Sequence, residues 1–173
     1  MGLLDWLTTA TPQGRSAADT DTVRRIAGEL ERLDPAQARF VAAFAYVLSR
    51  VARSDLQVSE AETAAMVNIV TRVAHLPEAQ AALAVEIAKN QSRLFGGTED
   101  FLVTREFRDI STEAQRHELL HCLFSVAASE AGISADEESQ VRQIASELGI
   151  AQDQYLAIRL HYRGQRTVLK DRP

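Results

Sequence analysis

Apolar residues recur along nearly the whole chain at intervals of three and four positions, which is the spacing of one face of an α-helix. Long alternations of apolar and polar residues, which would indicate strands, are absent. The pattern therefore predicts an all-α fold, a single domain of about seven to eight helices. The predicted helices cover residues 19–34, 35–51, 60–73, 77–94, 98–109, 112–129, 135–148 and about 152–163.

Prolines and glycines mark where several of these helices begin and end. Pro35 and Pro77 stand at helix starts, because proline is tolerated in the first helical turn. The pair "GG" at 96–97 breaks the chain before the linking helix, and Gly149 ends the helix that follows Ser134. The last helix is predicted to join the common core through its apolar residues Tyr155, Leu156, Ile158 and Leu160.

One phrase occurs twice. The stretch "VARSDLQVSEAE" at 51–62 returns as "VAASEAGISADE" at 126–137, an offset of 75 positions (51 to 126). The repeat predicts an internal duplication of a three-helix unit. We expect an N-terminal segment and linker over 1–18, a helical domain over 19–165 and a basic tail over 166–173. The repeat units are predicted at about 35–95 and 111–163.

Part of the repeated phrase is the signature of a helix start. Ser59 with Glu62, and Ser134 with Glu137, have the spacing of a capping box, in which the serine and the glutamate each cap the other's backbone amide. Capping therefore explains one serine and one glutamate in each copy. Val58 and Ile133, just before the caps, have the position of hydrophobic staples.

Capping does not explain the acids Asp55 and Glu130, which fall in the last turn of the preceding helix. A negative charge there opposes the helix dipole and costs up to about 1 kcal/mol. A cation between this acid and the later glutamate would offset that cost. The phrase is no EF-hand, since the first and third positions lack oxygen ligands and the sixth lacks glycine. Cation binding and capping alone both remain open.

On these residues the chain resembles the TerB-like helical family, named for tellurite resistance protein B and the DjlA N-terminal domain. The signature of that family is an apolar helix ending in V-A-x-A-D-G-x-I-S-x-x-E, often followed by a helix ending in L-G. The second copy, "VAASEAGISADEESQVRQIASELGI", is the better match, and the resemblance covers about residues 35–163. It implies a duplicated all-helical domain, a stress-response interaction module often found near the membrane, and no established catalytic activity.

The resemblance also implies an acidic surface that takes divalent cations. Carried onto this sequence, the aspartate of the motif is Asp55 or Glu130, and the final glutamate is Glu62 or Glu137. Carboxylates favour Ca²⁺, Mg²⁺ or Mn²⁺ over zinc. Both copies lack the glycine of the motif, and the second has the longer glutamate in place of aspartate. A metal-free scaffold of the same fold is the alternative.

Residues 117–121 read His-Glu-Leu-Leu-His and match the H-E-x-x-H motif of zinc peptidases. A zinc hydrolase would use His117, Glu118 and His121, but it needs a third protein ligand, and no family-type motif for one follows. The repeat aligns the two histidines with Ala42 and Tyr46, which we interpret as positions free to vary on the flank of a helix. We expect no enzyme.

Composition and net charge limit the classes of partner that the protein is expected to bind. The 173 residues carry a net charge of −5, which argues against nucleic acid and suits a cation or a protein partner. The single cysteine, Cys122, suits a reducing cytoplasm and is predicted to be buried. The N-terminal "GLLDWL" lacks the features of a signal peptide and is expected to dock on the core or at a membrane surface. The oligomeric state does not follow from the sequence.

Overall fold

The computed structural model describes residues 17–52, 59–90, 100–129 and 132–165. These residues form eight α-helices and a final 3₁₀ turn, with no strand beyond one bridging residue, Ile133, so the all-α prediction is confirmed. Within the described helices, none is long and apolar enough to cross a membrane. The helices are α1 Ala17–Glu31, α2 Pro35–Ser49, α3 Glu60–Val73, α4 Glu78–Lys89, α5 Asp100–Ile110, α6 Glu113–Ser129, α7 Ala135–Glu147 and α8 Gln152–His161, followed by the 3₁₀ turn Arg163–Gln165.

The centre of the molecule is α2. Asp34 caps its start by accepting a hydrogen bond from the Ala36 amide, and Pro35 occupies the first helical position, as predicted. Every residue from 41 to 49 is buried, so the helix has no solvent-facing side along that stretch. It packs against α1, α4, α5 and α6, which together surround it.

A second packing centre is α6, which contacts α2, α3, α7 and α8. Its buried side chains include Leu119, Leu123 and Phe124. Cys122 is also buried, as predicted, and burial raises the pKa of its thiol to about 12. The caps of α3 and α7, Ser59 and Ser134, lie 75 positions apart (59 to 134), so the helix starts keep the spacing of the repeated phrase.

The last helix, α8, differs from its prediction in which side chains it buries. Tyr155 and Ile158 face the core and are 3% and 7% exposed. Leu156 and Leu160, expected to join them, are 41% and 66% exposed, so that expectation is wrong. The physical reason is that, among the described helices, α8 packs mainly against α6 and α7, and Leu156 and Leu160 lie on the face turned away from them.

Two contacts join distant parts of the chain. Arg50, the C-cap of α2, forms a buried ion pair with Glu147 at the end of α7 and donates a hydrogen bond of 2.8 Å to the hydroxyl of Thr104 on α5. At the other end of α7, the Ile133 amide donates a backbone hydrogen bond of 2.8 Å to the Gln165 carbonyl in the 3₁₀ turn. "GLLDWL", Gly96, Gly97 and Val58 lie outside the described residues.

Candidate functional site

The first copy of the repeated phrase ends in a complete capping box at the start of α3. The Ser59 hydroxyl accepts a hydrogen bond of 3.2 Å from the Glu62 amide. Glu62 Oε2 in turn accepts from the Ser59 amide at 2.7 Å and from the Ser59 hydroxyl at 2.9 Å. The serine and the glutamate side chains therefore cap each other's backbone amides, as the spacing predicted.

The second copy builds the same box at the start of α7. The Ser134 hydroxyl accepts from the Glu137 amide at 3.2 Å, and Glu137 Oε2 accepts from the Ser134 amide at 2.8 Å and from its hydroxyl at 2.7 Å. Ile133, predicted as a staple, is 1% exposed and belongs to the core. The two helix starts are thus alike in residue type, spacing and hydrogen bonding.

The cap also sets the charge of the first glutamate. Hydrogen bonds from the Ser59 amide, and then from the Ser59 hydroxyl, lower the pKa of the Glu62 carboxyl. Glu62 is therefore ionised at neutral pH. An ionised carboxylate both strengthens the cap and suits a hard cation.

The other two predicted ligands, Asp55 and Glu130, lie outside the described residues. Within the described ranges, no group of three or more histidine, cysteine, aspartate or glutamate side chains is placed to hold a metal ion. Glu62 and Glu137 alone therefore form no site. A cation at these loops requires Asp55 or Glu130 as well.

The histidines and the glutamate of the HELLH motif each contact a different neighbouring residue. His121 Nδ1 lies 3.1 Å from the Tyr162 hydroxyl, and Glu118 Oε1 lies 3.2 Å from Nδ1 of His75, at the end of α3. The buried Nε2 of His117 has no hydrogen-bond partner within the described residues and lies 4.0 Å from Glu113 Oε1. Among the described residues, this arrangement brings no third ligand to His117 and His121, and Glu118 is placed against His75.

His121 belongs instead to a polar cluster that joins α6 to the end of α8. The Tyr162 hydroxyl lies 3.1 Å from Ser125 Oγ and donates to the His121 carbonyl at 3.1 Å. The ring of His161 lies 5.7 Å from the ring of His121. Burial, then the charges of His161 and His117, lower the pKa of the His121 imidazole, so the fold favours its neutral form.

The interpretation of the aligned positions 42 and 46 as free to vary is wrong. Ala42 and Tyr46 are 0% and 1% exposed. They are buried because α2 is surrounded by other helices, whereas the corresponding side of α6 carries half-buried histidines against the end of α8. The alanine and tyrosine at 42 and 46 and the histidines at 117 and 121 therefore lie in different surroundings.

Sequence reasoning missed the Arg50–Glu147 pair. Both side chains are almost fully buried, at 4% and 9% exposure, and Gln143 donates a hydrogen bond of 3.1 Å to Glu147 Oε1. Arg50 lies directly before the first repeated phrase, so the ion pair anchors the end of α2 at the point where that phrase begins. The sequence signal that could have indicated the pair was the position of the charged Arg50 directly after the apolar residues of α2.

An open groove of about 650 Å³ runs between α7 and α8. Arg142 is its only charged residue within the described part of the chain, and Ser139, Gln143, Ser146 and Gln152 supply most of the other polar groups. A groove lined in this way offers no pair of titratable groups for acid–base chemistry.

Comparison with known proteins gives one match. The family model described as "Tellurite resistance protein TerB" matches residues 40–160, which is more than half of the chain. The matched region contains both repeated phrases and α3 to α7 in full. No curated protein and no solved structure matches the chain.

Proposed function

Because the chain belongs to the family of tellurite resistance protein TerB, we propose that it is a non-enzymatic interaction module of a bacterial stress response. In this role a divalent cation, Ca²⁺, Mg²⁺ or Mn²⁺, binds at the two repeated loops, and the domain engages a protein partner. The proposed location is the cytoplasm, with peripheral contact to a membrane.

One observation carries the cation proposal: at both repeated phrases, the capping box holds a glutamate carboxylate through the same hydrogen bonds. Glu62 and Glu137 each commit Oε2 to the cap, and each stands at the end of a loop that contains a further acid, Asp55 or Glu130. The cap leaves Oε1 as the donor for an ion. Oxygen donors of this kind are the ones that hard cations prefer.

A second candidate, a metal-free scaffold of the same fold, is favoured by the completeness of the capping boxes. In this candidate Glu62 and Glu137 serve only the helix starts. Glu130 directly follows the last residue of α6, and its charge then opposes the dipole of that helix. The helix α2 ends at Ser49, so the prediction that Asp55 falls in its last turn is wrong. Replacement of Asp55 and Glu130 by alanine is neutral or slightly stabilising.

A thermal melt of chelator-treated protein, with Ca²⁺, Mg²⁺, Mn²⁺ or Zn²⁺ added, separates the two candidates. An ion that binds only the folded state raises the melting temperature, by an amount that grows with its concentration. The test variant is Asp55→Ala/Glu130→Ala. The matched control is Glu60→Ala/Asp136→Ala, which removes two exposed acids from the first turns of α3 and α7 but no proposed ligand.

We expect Ca²⁺, Mg²⁺ or Mn²⁺ to raise the melting temperature of the wild type and the control, but not of the test variant. No rise with any ion contradicts the cation site and leaves the metal-free scaffold. A rise with zinc alone that survives in the test variant points to His117 and His121 instead.

A further inference from the structure

The outward face of α8 carries two large apolar side chains in solvent. Leu156 and Leu160 are 41% and 66% exposed and lie four residues apart, so they are neighbours on one face of the helix. Ala157, beside them, is also exposed. The inward face is taken by Tyr155 and Ile158. A single exposed leucine would be ordinary, but Leu156, Ala157 and Leu160 together form a contiguous apolar patch, and such patches mark interaction surfaces.

Two opposite charges flank this leucine pair. Asp153 lies three residues before Leu156, and Arg163 lies three residues after Leu160. Both side chains are exposed, and neither forms an ion pair with another of the described residues. The helix α8 ends at His161, and Arg163 begins the 3₁₀ turn that follows it. With rises of about 1.5 and 2.0 Å per residue in the two parts, the stripe from Asp153 to Arg163 is about 16 Å long. Along the stripe the side chains follow the order acidic, apolar, apolar, basic.

The order of this stripe is self-complementary. Leu156 and Leu160 lie two residues either side of Ile158, and Asp153 and Arg163 lie five residues either side of it. Two antiparallel copies of α8 crossing at the level of Ile158 therefore bring Leu156 against Leu160 of the partner subunit. The same two-fold axis brings Asp153 against Arg163 of the partner subunit, twice.

We propose that α8 pairs antiparallel with α8 of a second copy of this chain, in a weak homodimer. Exposed Ala157 lets the two backbones approach, and the antiparallel arrangement sets the positive end of each helix dipole beside the negative end of the other. A seam of one short helix is small, so the dissociation constant is expected in the micromolar range and not in the nanomolar range.

A second copy fits this face better than an anionic membrane does. Asp153 lies on the stripe itself, and the chain has a net charge of −5, so both would be repelled by anionic lipid. In the two-fold pairing Asp153 faces an arginine instead, whereas the net charge of each copy opposes association and contributes to the expected weakness of the dimer. This dimer does not depend on a cation at the repeated loops.

Analytical ultracentrifugation over a concentration series tests the pairing. We expect the wild type to shift with concentration from the 19.1 kDa monomer toward twice that mass. Asp153→Arg and Arg163→Asp should each weaken the dimer about tenfold or more, because symmetry creates two like-charge contacts. An equimolar mixture of the two variants should associate again, since each restores the other's opposite charge.

The matched control is Asp136→Arg, the same charge reversal in the first turn of α7. It should dimerise as the wild type does. The proposal is overturned if the wild type stays monomeric, if the mixed variants do not associate, or if Asp136→Arg weakens the dimer equally. Sedimentation with vesicles of anionic lipid is the second readout. Vesicle binding by a monomer, lost in Leu156→Gln/Leu160→Gln, would show a membrane-facing surface and also overturn it.

Discussion

Ser59 and Ser134 each hold the first turn of a helix through hydrogen bonds that run in both directions. We predict that Ser59→Ala and Ser134→Ala each lower the free energy of unfolding by about 1 kcal/mol, since the amides of the first turn lose their acceptor. Urea denaturation measures the loss. The control is Ser139→Ala, inside α7 and exposed, which should cost nothing because alanine favours a helix. Equal losses in all three variants would contradict the capping role.

At the scale of single residues, the sequence allowed prediction where the interaction is local. Each capping box spans four residues, so the spacing was enough to assign Ser59, Glu62, Ser134 and Glu137. The tautomer-dependent contact of His121 with Tyr162 was not predictable, because its partner lies 41 residues away on another helix. Whether Asp55 and Glu130 bind an ion stays a prediction.

At the scale of elements, the contact between α6 and the end of α8 should respond to acid. Three groups face the His121 imidazole: His117 on the same helix, and His161 and Tyr162 from α8. The folded state lowers the pKa of His121 below its ordinary value of about 6.5. The unfolded chain therefore binds the proton more readily, and stability is lost as the pH falls below about 6.5.

We predict that the midpoint of urea denaturation falls between pH 7.5 and pH 5.5, and that His121→Gln makes this fall smaller. His75→Gln is the control, because the His75 side chain is 72% exposed and contacts Glu118, not His121 or Tyr162. An undiminished fall in His121→Gln, or an equal reduction in His75→Gln, would show that other groups cause the acid sensitivity.

Helix positions followed from periodicity, but the burial of each face did not. The pattern placed α8 correctly and marked four of its residues as apolar. It could not show that Tyr155 and Ile158 are buried while Leu156 and Leu160 stay largely exposed, since that depends on how the other helices pack around α8. The same limit explains Ala42 and Tyr46, which are buried because α2 is central.

At the scale of the whole molecule, the Arg50–Glu147 pair should be a major determinant of stability. Glu147→Gln removes the carboxylate that pairs with the buried Arg50 guanidinium, and we predict a loss of about 3–5 kcal/mol in the free energy of unfolding. The double variant Arg50→Met/Glu147→Met removes both charges and should recover much of that loss. Urea denaturation of the single and double variants checks both expectations. A single variant as stable as the wild type would show that solvent or another group neutralises Arg50.

This pair was beyond sequence reasoning because its two residues are 97 positions apart. Nothing in the periodicity of α2 or α7 relates their ends to one another. The TerB resemblance identified the family and the all-α fold, yet it did not indicate which charges the packing of α2, α5 and α7 encloses.

The backbone hydrogen bond from Ile133 to Gln165 has a mechanical consequence. It attaches the last described turn of the chain to the residue just before the cap of α7, within the second copy of the repeated phrase. Tension applied at Gln165, by a tether or by a bound protein, would therefore be transmitted to Ile133. A pull at this turn would thus reach the start of α7, the helix that begins at the cap of the second copy.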